Sequence, residues 1–302
     1  MSEETRCGFV AIIGAPNAGK STLINALTGA KVSIVSAKIQ TTRVPVRGIA
    51  MHGQSQIIFI DTPGIFSPGK RLERAMVASA WEQQTEADAI VLVADCSRKK
   101  IDRDTRDIIT RLSESGNKKP VILILNKVDH VNRQILLPRA KEMNDLYPFS
   151  ATFMVSAIDG NGVADLLKHL AAQMPAGEWM YPEDQVSDMP DRLLAAEITR
   201  EKLFEKLYSE LPYALTVETE SWEAPEDGSL VIGQVIFVTR DSHKPIILGK
   251  GGAQIKSVGE EARHDLEMIF ERRVRLNLFV KVRENWTEDS AHYQLWGLDY
   301  GA

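Results

Sequence analysis

The sequence predicts an α/β chain: a doubly wound, mostly parallel sheet followed by a smaller α+β domain. Three observations point there. Residues 1–175 alternate short Ile/Val-rich runs with helical stretches, the rhythm of strands covered on both faces by helices. A glycine-rich loop, "GAPNAGKS" at residues 14–21, lies between the first such run and the first helix. Past residue 190 the order changes to helix, strand, strand, short helices, strand, which cannot continue a βα repeat and reads as a separate α+β unit.

The predicted strands of the first region are residues 9–14, 55–61, 89–95, 120–126 and 152–157. Each is short and continuously apolar, as buried parallel strands are. The predicted helices between them are 20–29, 71–86, 102–115, 133–146 and 162–173. Residues 176–190 close the stretch "MPAGEWMYPEDQVSDMP", whose prolines and acids mark a linker. The chain therefore divides into 1–175, a linker at 176–190, and 191–302. In the last part a helix is expected over 191–210, then the strands "YALTVETESWE" and "LVIGQVIFVTR" around the turn "APEDG", and a final strand "VRLNLFVKVR".

Composition narrows the class. Of 302 residues 44% are hydrophobic and 25% charged, with a formal net charge of -5. That suits a globular chain with a sizeable core and disfavours a protein that is a polyanion binder over its whole surface. The two cysteines, Cys7 and Cys96, stand at no metal-ligand spacing, so no disulfide framework is expected and a reducing compartment fits. The start "MSEETRC" lacks a basic, apolar leader. The longest apolar runs fall far short of the roughly 20 residues a membrane span needs. A cytoplasmic location follows as the expectation.

"GAPNAGKS" satisfies G-x-x-x-x-G-K-[ST] in the right setting, leaving a strand and opening the helix "KSTLINALTG". The loop resembles the phosphate loop of P-loop NTPases, the other reading being a glycine-rich turn that binds nothing. Gly14 and Gly19 let the chain wrap through Ala15, Pro16, Asn17, Ala18 and Gly19, so that several backbone N–H groups of this stretch, Pro16 having none, frame a cradle for phosphate oxygens. The N-terminus of the helix adds a favourable dipole. Lys20 would reach the β- and γ-phosphates, and the Ser21 hydroxyl would ligate Mg²⁺.

The purine is chosen elsewhere. "DTPG" (Asp61, Thr62, Pro63, Gly64) ends a strand; Asp61 is placed to hold Mg²⁺ through water and Gly64 to offer its N–H to the γ-phosphate. "NKVD" ends another: the Asp129 carboxylate can accept from guanine N1–H and the 2-amino group, a pattern adenine lacks. Asn126 and Lys127 would brace the loop and the base plane. "SAIDGNG" ends a third strand, with Ser156 and the Ala157 N–H near guanine O6. Each motif sits at the C-terminal end of a strand, the edge where open α/β sheets bind ligands.

In that order the motifs resemble a translation-factor-class GTPase. The segment "AKIQTTRVPVRG" (37–48) resembles the first switch of the Era family, in which a threonine before an arginine meets Mg²⁺. Here that is Thr42, with Thr41 as the second candidate. Where Ras-type GTPases carry a water-orienting glutamine, this chain has Ile65, so slow intrinsic hydrolysis is expected. Lys20, Thr42, Gly64 and Asn17 are the candidate catalytic residues. Asn17 resembles an asparagine that holds K⁺ against the phosphates in related GTPases; the other reading is that it tolerates an unusual turn.

The segment 235–263 resembles a type II KH domain, whose G-x-x-G loop joins two short helices. The loop is Gly249-Lys250-Gly251-Gly252, with Ile246, Ile247 and Ile255 as expected groove residues and Lys244, Lys250 and Lys256 at its sides. Residues 231–285 carry ten Lys and Arg against seven Asp and Glu, a basic patch on an acidic chain. Pro245 stands where the family usually has glycine. The aromatic residues Trp286, Tyr293, Trp296 and Tyr300 are expected to pack rather than to stack on bases.

A GTPase fused to a C-terminal KH domain resembles the Era family over nearly the whole chain. The resemblance implies GTP and GDP with Mg²⁺ as ligands, and binding near the 3′ end of 16S rRNA in assembly of the 30S subunit. It also implies a monomer and a weak peripheral association with the inner membrane. Two rivals stand beside this reading. One is an RNA-binding scaffold with a degenerate pocket, disfavoured by intact Lys20, Ser21, Asp61 and Asp129. The other is a kinase, disfavoured by "NKVD".

Overall fold

Strand registers, not helices, set out the architecture of the computed structural model, which describes residues 4–36, 38, 41–43 and 45–301. By packing, the chain forms two units: Met1–Ser33 with Thr42–Asp188 and Tyr293–Ala302, and Ile34–Thr41 with Met189–His292. Two segments thus group differently from the sequence-based division. Ile34–Thr41, inside the first expected domain, belongs to the second unit, and Tyr293–Ala302 belongs to the first.

In the first unit six strands form one sheet in the order β2-β3-β1-β4-β5-β6. These are β1 (Arg6–Gly14), β2 (Val46–His52), β3 (Ser55–Asp61), β4 (Ala89–Asp95), β5 (Val121–Asn126) and β6 (Ala151–Val155). All pairs are parallel except β2 with β3. Five of these strands match the predicted ones. The sixth, β2, was not predicted; it begins within the end of the switch-like segment and runs past it. It is an edge strand containing Gly48 and followed by a tight turn at Gly53, so its sequence lacks the continuous apolar run of its buried neighbours.

The helices are α1 (Lys20–Thr28), α2 (Arg71–Glu86), α3 (Arg103–Glu114), α4 (Leu136–Leu146) and α5 (Val163–Gln173). Alternate residues of a strand face opposite sides of the sheet. Ile122 and Ile124 of β5 join Leu23 and Leu27 of α1 and Leu166 and Leu170 of α5 in one core. Leu123 and Leu125 join Val77 of α2, Ile108 of α3 and Met143 of α4 in the other. That two-sided burial explains why these strands are apolar at every position. It also leaves β1, β3, β4, β5 and β6 all ending at one edge of the sheet.

The second unit holds α6 (Asp191–Lys206), β7 (Leu215–Glu223), β8 (Leu230–Val238), α7 (Lys244–Leu248), α8 (Ala253–Phe270) and β9 (Val274–Val282). Its sheet runs β7-β8-β9, with β7 antiparallel and β9 parallel to β8. The order α-β-β-α-α-β is that of a type II KH domain. Leu203 of α6, Ile236 of β8 and Val258 of α8 are among its buried core residues. The late aromatics mostly pack: Trp286, Tyr293 and Trp296 are buried, the Trp286 indole N–H donates to the Ala214 carbonyl at 3.3 Å, and half-exposed Tyr300 meets Tyr293 edge-on at 5.0 Å. Among the described residues no helix is long and apolar enough to cross a membrane.

Candidate nucleotide site and RNA-binding loop

The phosphate loop leaves β1 through Gly14, whose φ is 156°; a Cβ there would stand 2.4 Å from the Val93 carbonyl oxygen. Asn17 follows with φ 62°, the left-handed geometry that asparagine tolerates best among non-glycine residues. Gly19 precedes α1 and supplies no side-chain cap, so the first N–H groups of that helix are left for an incoming anion. Lys20 lies over the loop it belongs to, its Nζ donating to the carbonyls of Gly14 and Ala15 at 3.1 Å each. Burial pushes its ammonium down to about 8, while neighbouring Asp61 pulls the other way.

Asp61, at the end of β3, is the hub of the next group. Its Oδ2 accepts from the hydroxyls of Ser33 at 2.7 Å, Ser21 at 2.8 Å and Thr42 at 3.2 Å. Ser21 and Thr42 are themselves 3.0 Å apart. Its Oδ1 is buried and accepts no hydrogen bond among the described residues. Burial drives this carboxyl above its ordinary range, partly offset by the three hydroxyls and Lys20. A buried carboxylate oxygen beside converging hydroxyls is the donor chemistry of a hard, partly hydrated divalent cation such as Mg²⁺. Ser33 was not legible in the sequence, because a serine in "KVSIVS" carries no spacing signal.

The rest of "DTPG" presses on the loop. The Thr62 hydroxyl donates to the Ile12 carbonyl at 2.7 Å, and the Ile65 N–H donates to the Gly14 carbonyl at 3.1 Å. A Cβ on Gly64 would stand 3.1 Å from Pro16, so the Pro63–Gly64 step lies against the cradle. Ile65 is buried in the core beneath α2 and α3, where it cannot orient a water molecule.

The base side is braced in the same manner. Buried Asn126 donates from Nδ2 to the Ala18 carbonyl at 2.9 Å and accepts at Oδ1 from the Ala157 N–H at 3.2 Å. The Ala157 amide, expected at guanine O6, is thus committed to Asn126, and it joins the loop after β6 to the loop after β5. Lys127, with φ 66°, spans from the Asn17 carbonyl at 2.8 Å to the Asp95 carboxylate at 2.7 Å. Asp95, at the end of β4, is a second residue the motifs did not reveal. Burial would raise its carboxyl, but Lys127 and Ser97 hold it below the ordinary range. Asp129 is exposed, and the buried Ser156 hydroxyl, with smaller help from His130 and Lys127, holds its carboxyl low. An ionised, accessible carboxylate at that point can accept two hydrogen bonds from one edge of a guanine.

In the second unit the glycine loop joins α7 to α8. Gly249 has φ 72° and ψ 175°, a region open to glycine alone, and a Cβ there would stand 2.7 Å from Gln254 Cβ. Gly251 and Gly252 also have positive φ. Lys250 and Lys256 are exposed, and Lys244 is half-buried. Pro245 fits without disturbance in the first turn of α7, where its missing N–H costs no helical bond. Ile246 is 53% exposed beside the loop. Ile247 corrects the sequence reading: it is fully buried, packed with Val258 and Ile236, because successive residues of a helix point to different faces. Ile255 is half-buried against that same core. Leu248, 38% exposed, takes the outward place that Ile247 was expected to fill.

Fold and site together define a P-loop GTPase joined to a KH domain. A "50S ribosome-binding GTPase" family model matches residues 9–127, and a KH domain model matches residues 210–287. GTPase Era of Rhizobium meliloti (strain 1021) is 56% identical over 296 residues, covering 98% of this chain and 94% of that protein. GTPase Era of Brucella suis biovar 1 (strain 1330) is 52% identical over 297 residues, with the same coverage of 98% and 94%. A solved Aquifex aeolicus Era variant bound to GDP.AlF4- superposes with a TM-score of 0.91 at 38% identity, over 97% of this chain and 99% of that one. The same figures hold for a structure of Era in complex with MgGDPNP and nucleotides 1506–1542 of 16S ribosomal RNA. The chain belongs to the Era GTPase family and is a GTPase.

Proposed function

We propose that the protein is a GTP-operated switch that binds the 3′ region of 16S rRNA and assists assembly of the 30S subunit. One observation carries the reading furthest. A relative solved with MgGDPNP and nucleotides 1506–1542 of 16S rRNA shares this fold over 97% of the chain, and the glycine loop of the second unit has the backbone such a ligand needs. In this reading the phosphates lie on the loop from Gly14 to Gly19, under Lys20 and beside the Gly64 N–H. Ser21, Thr42 and Asp61 would hold Mg²⁺, whose charge offsets that of the β- and γ-oxygens. Asp129 selects guanine, with Asn126, Lys127, Ser156 and Ala157 fixing the loop around it. RNA bases lie against Ile246 and Leu248, while Lys250, Lys256 and the loop amides meet its backbone.

GTP orders the segment around Thr42 and the stretch after Gly64, and hydrolysis releases them. Grouping of Ile34–Thr41 with the second unit supports a coupling of that order to RNA binding. Nucleotide and RNA then change each other's affinity by the same factor. Binding of a 16S rRNA 3′-end fragment in the presence of GDPNP and of GDP tests this; equal dissociation constants would remove the coupling. Asn17 is the candidate K⁺ ligand, and hydrolysis at equal rates in KCl and NaCl would dismiss that role. A cytoplasmic location with weak peripheral membrane contact completes the reading, and cell fractionation tests it.

A further inference from the structure

Two charged residues of α6 are almost wholly buried: Arg200 is 1% exposed and Glu201 3%. Taking a guanidinium and a carboxylate out of water costs several kcal/mol each unless both are well paired, so their partners matter. Arg200 forms an ion pair with Glu197 and donates from Nη2 to the Thr41 carbonyl. Glu201 accepts the Val35 N–H at 2.7 Å. One helical turn away, the Phe204 carbonyl accepts from Lys38 Nζ. Ile34, 3% exposed, packs with Ala195 and Ile198 of the same helix. Residues of α6 thus meet Ile34, Val35, Lys38 and Thr41, all inside the second unit. Arg200 Nη1 is buried and makes no hydrogen bond among the described residues.

The boundary between the units falls at the Thr41–Thr42 peptide. On its far side the Thr42 hydroxyl meets Ser21 and Asp61. We propose that Arg200 is a positioning residue for GTP hydrolysis: by gripping the Thr41 carbonyl it sets where the Thr42 hydroxyl stands, with Glu201 fixing the start of the same segment. The RNA-binding unit then tunes the nucleotide site through one helix of its own. The inference deepens the coupling reading above, yet its test needs no RNA.

The test uses full-length protein and the variants Arg200→Gln, Arg200→Lys and Glu201→Gln. Arg200→Gln should lower single-turnover GTP hydrolysis by about tenfold or more, since small misplacements of a catalytic group carry such costs. It should also raise the Mg²⁺ concentration needed for half-maximal GDPNP binding and abolish the difference in amide exchange of peptide 34–43 between GDPNP and GDP. Affinity for GDP should stay within twofold. Arg200→Lys, which keeps charge without the planar fork, should recover only part of the rate. Glu201→Gln is milder and gives a readout should Arg200→Gln fail to fold. Wild-type rate and Mg²⁺ requirement in the folded variants would overturn the proposal. So would a parallel loss of GDP affinity, hydrolysis and thermal stability, the signature of a purely structural role. Equal RNA binding in the GDP and GDPNP forms would sink the coupling reading alone and leave these rates untouched.

Discussion

The molecule contains two glycine-rich loops that each open a helix, and they are built oppositely. In "GAPNAGKS" the carbonyl groups are braced by side chains while the helix N–H groups stay open: Gly14 and Ala15 by Lys20, Ala18 by Asn126, Asn17 by Lys127. In "GKGG" the backbone alone is specified; Gly249, Gly251 and Gly252 adopt positive φ while Lys250 and Lys256 extend into solvent. The first loop must meet a small, highly charged triphosphate tail with fixed geometry, so its donors are preorganised. The second, in the proposed reading, would meet a flexible sugar–phosphate chain, for which close approach and diffuse positive charge suffice. Rigidity therefore marks the nucleotide loop and shape marks the RNA loop.

Substitutions sharpen that contrast. The largest effect is expected at the rigid site. Asp129→Asn turns one of the two carboxylate acceptors into an NH2 donor and removes the charge behind the other, and should weaken GDP binding by about 10²-fold; calorimetry checks this, and an unchanged dissociation constant would place the base elsewhere. At the RNA loop, Lys250→Ala should weaken rRNA binding only about three- to tenfold and reduce the slope of log K against log salt by about one. A loss as large as that at Asp129 would mean that the second loop is as preorganised as the first.

Protonation offers a finer probe. In the free protein burial holds Lys20 near 8, so at pH 8.5 the side chain is mostly neutral. A bound triphosphate draws its proton back, and GTP binding should take up about half a proton or more at that pH and almost none at pH 6.5. Calorimetry in two buffers of different ionisation enthalpy reads this directly; buffer-independent heats at pH 8.5 would show that Lys20 stays charged. The smallest effect belongs to Pro245→Gly. Freeing the first turn of α7 should cost about 0.4–1 kcal/mol in stability and leave RNA affinity within twofold, since Pro245 sets helix entry rather than the loop itself.

Much of this was legible in the chain, and the reason differs by element. Ser55–Asp61 and Ala89–Asp95 match the predicted bounds residue for residue, because burial of a parallel sheet on both faces forces continuous apolar runs. β2 escaped, since an antiparallel edge strand is under no such demand. Lys20, Asp61, Asn126 and Asp129 announced themselves through motif spacing. Ser33 and Asp95 did not, because each reaches the site by side-chain convergence from a segment with no pattern of its own. Ile247 was misread for the converse reason: three apolar residues in a row give no helical phase, and only packing showed that Ile246 and Leu248 face outward.

By itself, then, the sequence determined the two domain types, most of their elements in order and the phosphate-loop motif, all properties that local spacing encodes. Tertiary structure alone decided that Ile34, Val35, Lys38 and Thr41 meet α6 and that Ser33 joins Asp61. It also decided that the last ten residues return to the first unit. These are contacts between segments distant along the chain, and they depend on which surfaces the fold leaves free to be buried, something that no short window of residues can hold.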